Sequence, residues 1–157
     1  MVEMADVVRS ELSYAQHEHQ EVRTGIDQIH KAAAALGWTS NQQAANDIRR
    51  VRDWFQGVLV PHAAWEDAVI YPEIERLTHT EWSVKQMRYE HYQIERAAAA
   101  LNDDIEALQE PVTHQEASEI RGHLLGLEAL LRAHLEREDL FILPLLEPDL
   151  IAPRPSH

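Results

Sequence analysis

Residues 62–72 read HAAWEDAVIYP, and residues 134–144 read HLEREDLFILP. Each stretch has a histidine, a glutamate four residues later, an aspartate directly after it, and a proline ten residues beyond the histidine. The two copies lie 72 residues apart. A spacing of four puts His and Glu side by side on one face of a helix. No stretch of the chain sustains the period-two alternation of a strand. The decisive reading is therefore a helix that carries His and Glu on a face otherwise apolar, and does so twice.

The repeat extends outward from these stretches. His19 and His91 are also 72 apart, as are Glu18 and Glu90, Val22 and Ile94, Ile48 and Ile120, Phe55 and Leu127, and Pro72 and Pro144. The first half of the chain thus superimposes on the second without a gap. Each half is predicted as a helical hairpin, with one His on its first helix and HxxxE on its second. The predicted helices cover 3–36, 41–77, 80–109 and 113–146. Gly37 followed by Ser40 suits a stop and a new cap. Thr78 with Glu81, and Thr113 with Glu116, have the spacing of capping boxes. Pro61 and Pro72 are expected to kink the second helix.

Apolar residues recur every three or four positions in each predicted helix. The seams are Val8, Leu12, Ala15, His19, Val22, Ile26, Ile29, Ala33 and Leu36; then Ile48, Val51, Phe55, Val58, His62, Trp65 and Val69; then Val84, Met87, His91, Ile94, Ala98, Leu101, Ile105 and Leu108; then Ile120, Leu124, Leu127, Leu131, His134, Glu138, Phe141 and Leu145. One buried stripe per helix implies an all-α, up-down-up-down antiparallel four-helix bundle with an internal pseudo-twofold repeat. The bundle is expected over 1–147, with a proline-rich tail at 148–157. Each seam is interrupted by one histidine. Packing the hairpins would bring His19, His62, Glu66, His91, His134 and Glu138 to one level of the core. Left unpaired, such groups cost several kcal/mol each, and the two carboxylates repel. Cations remove both penalties, so a metal site is expected rather than a buried polar network. His and carboxylate ligands accept iron, manganese and zinc.

Composition narrows the function. The chain has 157 residues, ten histidines, no cysteine and a formal net charge of −13. Thiol, disulfide and iron–sulfur chemistry is excluded. The acidic surface disfavours nucleic acid and anionic membranes as partners. With neither a signal peptide nor an apolar run long enough to span a bilayer, a cytoplasmic protein is expected.

Four stretches together resemble the hemerythrin-like (HHE cation-binding) domain proteins, over nearly the whole chain: EHQEVRTGIDQI (18–29), PHAAWEDAVIYP (61–72), YEHYQIERAAAALND (89–103) and AHLEREDLFILP (133–144). The resemblance implies a non-haem di-iron centre, with His19, His62, His91 and His134 as terminal ligands and Glu66 and Glu138 bridging two iron ions. It also implies a small ligand: oxygen, hydrogen peroxide or nitric oxide. The chain departs from the oxygen carriers of this family. They have a second histidine four residues after the first on the third helix, where this chain has Glu95. Their helix 4 carboxylate falls five residues after its His, the place of Asp139; the repeat favours Glu138 here. Fewer imidazoles and more open positions point to peroxide decomposition, with Glu95 as the base that moves protons. Binding or sensing of oxygen, nitric oxide, redox state or iron, without turnover, is the alternative.

Other polar and aromatic residues carry further expectations. His17, about 200° around the helix from His19, and His79, His114 and His157 are expected to be solvated. His30, His123 and Asn102 are expected to share a buried polar layer. Arg23 and Glu95 occupy equivalent repeat positions and are expected to form an ion pair. Trp54, Trp65 and Trp82 are expected at the core or its edge. Spacing singles out none of Tyr14, Tyr71, Tyr89 and Tyr92.

Overall fold

The computed structural model describes residues 2–108 and 111–147, so the proline-rich tail expected at 148–157 lies outside it. Four helical rods account for these residues, and no strand occurs among them. Helix α1 is Val2–Ala35. Helix α2 (41–78) consists of three α-helical segments, Asn41–Trp54, Val60–Trp65 and Tyr71–Thr78. Two wide π-helical turns, Phe55–Leu59 and Glu66–Ile70, join these segments. Helix α3 is Trp82–Ala107. Helix α4 (114–146) runs as His114–Arg137, a π turn at Glu138–Ile142 and a 3₁₀ turn at Leu143–Leu146. No helix among the described residues is long and apolar enough to cross a membrane.

Local chemistry sets most of the boundaries. Gly37 takes φ 88° after α1, a conformation that costs glycine little. Ser40 then caps α2 by accepting from the Gln43 N–H. Thr113 and Glu116 form the reciprocal capping box. The box expected between Thr78 and Glu81 is absent. Thr78 Oγ1 donates instead to the Ile74 carbonyl at 2.8 Å, and Thr80 Oγ1 accepts from the Trp82 N–H at 3.2 Å. His79, at φ 55°, closes α2 in the left-handed conformation, which moves the start of α3 to Trp82.

The prolines act differently from the expected kinks. Val60, Tyr71 and Leu143 donate their N–H groups five residues back, to Phe55, Glu66 and Glu138. Each of the three directly precedes a proline: Pro61, Pro72 and Pro144. A proline ring crowds the carbonyl four residues before it and offers no N–H. Widening the preceding turn by one residue relieves that contact.

Each added residue shifts the buried stripe by one position. Leu59, Glu66 and Ile70 are buried where the straight-helix seam has Val58, Trp65 and Val69. In α4, Ile142 and Leu146 are buried, whereas Phe141 is 66% exposed. The seams of α1 and α3, which have no proline, are buried as expected except for half-buried Leu12 and Leu108.

Helices α1 and α3 each pack against both α2 and α4. The apolar core falls into two clusters. One gathers Val22, Ile26, Ile48, Ile94, Leu124 and Leu131, with others. The second holds Ala15, Ile70, Tyr71, Met87, Ile142 and Leu146. His19 lies between Ala15 and Val22, and His91 between Met87 and Ile94, so a polar layer separates the clusters.

One close approach fixes α1 against α2. A Cβ on Gly25 would lie 1.8 Å from the Trp54 indole. The repeat partners of this pair, Ala97 and Gly126, are both small, so the second hairpin has no such indole-on-glycine contact. Gly25→Ala is expected to cost about 1–3 kcal/mol through overpacking. In a Trp54→Gly background the same substitution should cost nothing, giving a large coupling in a double-mutant cycle read by chemical denaturation.

Candidate metal centre

Six side chains from four helices meet in the polar layer. His19 comes from α1, His62 and Glu66 from α2, His91 from α3, and His134 and Glu138 from α4. All six are buried, and His19, Glu66 and Glu138 have no exposed surface. Glu66 stands at the middle. Its Oε1 lies 2.8 Å from His62 Nε2 and 3.1 Å from His19 Nε2, and its Oε2 lies 3.2 Å from His91 Nε2. Glu138 Oε2 lies 3.3 Å from His19 Nε2 and 3.4 Å from His134 Nε2.

These contacts define two overlapping groups. Ligand atoms of His19, His62, Glu66 and Glu138 lie within 4.8 Å of one another, and so do those of Glu66, His91 and His134. Glu66 belongs to both. Among these six side chains four buried atoms, His62 Nδ1 and Nε2, Glu66 Oε2 and Glu138 Oε2, have no hydrogen-bond partner; outside them Arg137 Nε is in the same state, although it lies 2.8 Å from Glu90 Oε1. Unsatisfied buried donors and acceptors are costly, and cations held among imidazoles and carboxylates would satisfy all but His62 Nδ1, which faces away toward Glu18. The residues present therefore fit a metal site.

A second ring of carboxylates holds the imidazoles from behind. His19 Nδ1 is 2.7 Å from Asp139 Oδ1, and Arg23 donates to Asp139. His91 Nδ1 is 3.2 Å from Asp67 Oδ2. His134 Nδ1 is 3.0 Å from Glu90 Oε2, and Glu90 in turn meets Arg137 Nε at 2.8 Å and Gln86 Nε2 at 2.9 Å. His62 Nδ1 is 3.8 Å from Glu18 Oε2, beyond hydrogen-bond reach. Such partners fix the tautomer and orientation of a ligating imidazole. Asp67 and Asp139, like Glu18 and Glu90, are repeat partners, so the outer ring follows the same 72-residue repeat as the inner groups. That repeat carried the signal, but the spacing within one helix could not show which imidazole each carboxylate meets.

Several expectations are corrected here. Arg23 pairs with Asp139, and no ion pair joins it to Glu95 among the described residues. Glu95 is exposed and lines a cavity together with Val22, Leu59, Ile94, Leu131, His62, His91 and His134. Asp139 lies behind His19, whereas Glu138 faces the centre. The buried layer of His30, His123 and Asn102 does not exist. Each pairs at the surface, with Glu128, Asp104 and Glu106 respectively. Trp82 is exposed rather than at the core. Among the tyrosines, Tyr71 is fully buried: its hydroxyl donates to Glu138 Oε1 and lies 3.2 Å from His91 Nε2. His17 is exposed, as expected.

The charges in the layer depend on one another. Burial opposes protonation of His19, but its bonds to Asp139, Glu138 and Glu66 win and push it up to about 11. Burial likewise opposes charge on His134, which Glu138 and Glu90 push up to about 9. Burial raises the Glu66 carboxyl, but the imidazoles of His19, His62 and His91 around it hold it well below its ordinary value. For Glu90, burial raises and His134, Arg137 and Gln86 lower, bringing it to about 2. In the ion-free protein, protons on imidazoles balance the buried carboxylates.

A pH dependence follows. The raised His19 and His134 contribute stability fully present below about pH 6.5, their ordinary value, and lost as pH rises through about 9 and then 11. The lowered Glu90 contributes stability present above about pH 4.5 and lost as pH falls toward 2. The melting temperature of metal-free protein is therefore expected to peak between these limits and fall on the alkaline side. His134→Ala should flatten the decline near pH 9. Metal binding at pH 7 should release protons, measured by calorimetry in buffers of different ionisation enthalpy.

The family model of the hemerythrin HHE cation binding domain matches residues 12–146. No curated protein and no solved structure matches the chain. The match spans all four helices and every residue of the buried His and Glu layer. The chain belongs to the hemerythrin HHE cation-binding domain family.

Proposed function

We propose that this protein is a non-haem di-iron protein whose centre reacts with small oxidants and decomposes hydrogen peroxide. The observation that carries the reading is Glu66, fully buried, with one oxygen toward His19 and His62 and the other toward His91. Its two oxygens would serve one cation each. His19 and His62 would hold the first, and His91 and His134 the second. Glu138 would add its Oε2, which lies near His19 and His134, as a shared carboxylate. An up-down-up-down course of the four helices supports this arrangement by setting the four seams at one level. Two adjacent irons supply a two-electron couple and open positions for a small oxidant.

The protein's own residues do the rest. The cavity beside His62, His91 and His134 has walls of Val22, Leu59, Ile94 and Leu131, which admit small molecules and exclude bulk water. Leu59 takes the place of Val58 because of the π turn before Pro61. Glu95 is the carboxylate in that wall. We assign it the proton movement that peroxide disproportionation needs, from one peroxide oxygen to the other. Two hydrogen peroxide molecules give one oxygen and two waters, one being oxidised and the other reduced.

Protein purified from iron-supplemented cells is expected to hold two irons per chain. Glu66→Ala should lose at least one of them and lower the melting temperature, since binding adds to folding stability. Full retention of both ions would remove the bridging role. The two-iron protein is expected to evolve oxygen from hydrogen peroxide faster than His134→Ala or free iron, measured with an oxygen electrode. Equal rates would leave a protein that binds oxygen or nitric oxide without turnover.

A further inference from the structure

The outer ring breaks its repeat at one point, and the break falls on His62. Around the second hairpin, Glu90 is held by Gln86 and Arg137 and meets His134 Nδ1 at 3.0 Å. The positions 72 residues before Gln86 and Arg137 are Tyr14 and Trp65. Glu18, the partner of Glu90, therefore has a phenol and an indole where Glu90 has an amide and a guanidinium. The Glu18 charge, with a hydrogen bond between the two side chains, raises the Tyr14 phenol, but a neutral phenol supplies Glu18 with no counter-charge. Tyr14 also packs edge-on against Trp65, with ring centroids 4.7 Å apart. Glu18 stops 3.8 Å short of His62 Nδ1.

His62 is in consequence the one imidazole of the four whose Nδ1 has no hydrogen-bond partner, although the ring is buried. His19, His91 and His134 each have a carboxylate within 3.2 Å of Nδ1. His62 also borders the apolar cavity, next to Leu59, Val60 and Ala63. The ring thus has room on one side and no anchor on the other. The π turn Phe55–Leu59 ends three residues before it.

We propose that His62 is the labile ligand of the centre. The position formed by His19 and His62 fills second and releases its divalent cation first. Glu90, Gln86 and Arg137 act as positioning residues that hold the position of His91 and His134. This rests on the two-ion reading of the site. Removing the outer partner of a ligating histidine typically costs about 10–100-fold in metal affinity, and this protein has that difference built in between its two halves.

The test uses cobalt(II), loaded anaerobically at two equivalents and transferred to excess chelator, with release followed by visible absorption. Two phases of equal amplitude are expected, with rates about 10–100-fold apart. His62→Ala should abolish the fast phase and keep the slow one, and added imidazole should restore the second cobalt. Glu90→Ala should speed the slow phase about 10–100-fold, whereas Glu18→Ala should leave the fast phase unchanged. A single release rate for both cobalts, or equal acceleration by Glu18→Ala and Glu90→Ala, would overturn the proposal. Should Glu90→Ala fail to fold, Tyr14→Gln with Trp65→Arg transplants the missing anchor. That variant should slow the fast phase, and a folded variant with no slowing also overturns the proposal. Binding of fewer than two cobalts by the parent protein would instead sink the two-ion reading itself.

Discussion

Two carboxylates, Glu66 and Glu138, are buried side by side in the middle of a helical core with no exposed surface. Burial and the Glu66 charge both push Glu138 up, but His134 and His19 hold it below its ordinary value. An apolar core does not tolerate such a pair unless positive charge is brought to it. His19, His91 and His134, each held above its ordinary value, supply that charge as imidazoliums when no ion is bound, and the imidazoles would supply neutral nitrogen ligands when one is. The same arrangement therefore serves both states, with protons and metal ions exchanging for one another. The two apolar clusters above and below the layer hold the helices at the spacing this exchange requires.

The prolines turn out to belong to the site. Glu66 and Glu138 each open a π turn that ends two residues before a proline. Five residues along a regular helix lie about 140° away from the starting direction. The wide turn brings Tyr71 back toward the face of Glu66, where its hydroxyl reaches Glu138 and its ring stacks on His91 at 5.4 Å between centroids. The repeat partner of Tyr71 is Leu143, which packs in the lower apolar cluster. Together with the loose Glu18, this makes an inner set of His and Glu residues that is nearly symmetric and an environment that is not. A duplicated hairpin can keep its ligands in register while its surroundings diverge, because the ligands must meet one another and the surroundings need only fill space.

Long-range partners decide how firmly each imidazole is held. Asp139 reaches His19 across 120 residues of chain, and Glu90 reaches His134 across 44. Arg23 stands four residues after a ligand histidine, as Glu95 does, but it turns to Asp139 on α4 rather than to Glu95 on α3. Arg23 and Asp139 line the same cleft between α1 and α4, whereas Glu95 lines a different cavity. His30 is exposed and meets the buried Glu128 at the edge of the bundle, and His123 meets Asp104 at the surface, so the two histidines share no buried layer.

The repeat, the seams of α1 and α3, and the six inward His and Glu residues were legible in the residues themselves. Three-and-four periodicity needs only local geometry, and His at i with Glu at i+4 shares a face in any helix. The capping box at Thr113 was legible for the same reason. The register at the turns before Pro61, Pro72 and Pro144 was not. A turn widened by one hydrogen bond leaves no trace in periodicity, so Val58, Phe141 and Leu145 were placed one residue away from the side chains that are buried. Tyr71 could not be distinguished from the other tyrosines until that register was known. The outer carboxylates were visible as repeat partners, but their pairing with particular imidazoles depends on how separate helices pack. Local sequence settles which face of a helix is polar; only packing in three dimensions settles what that face touches.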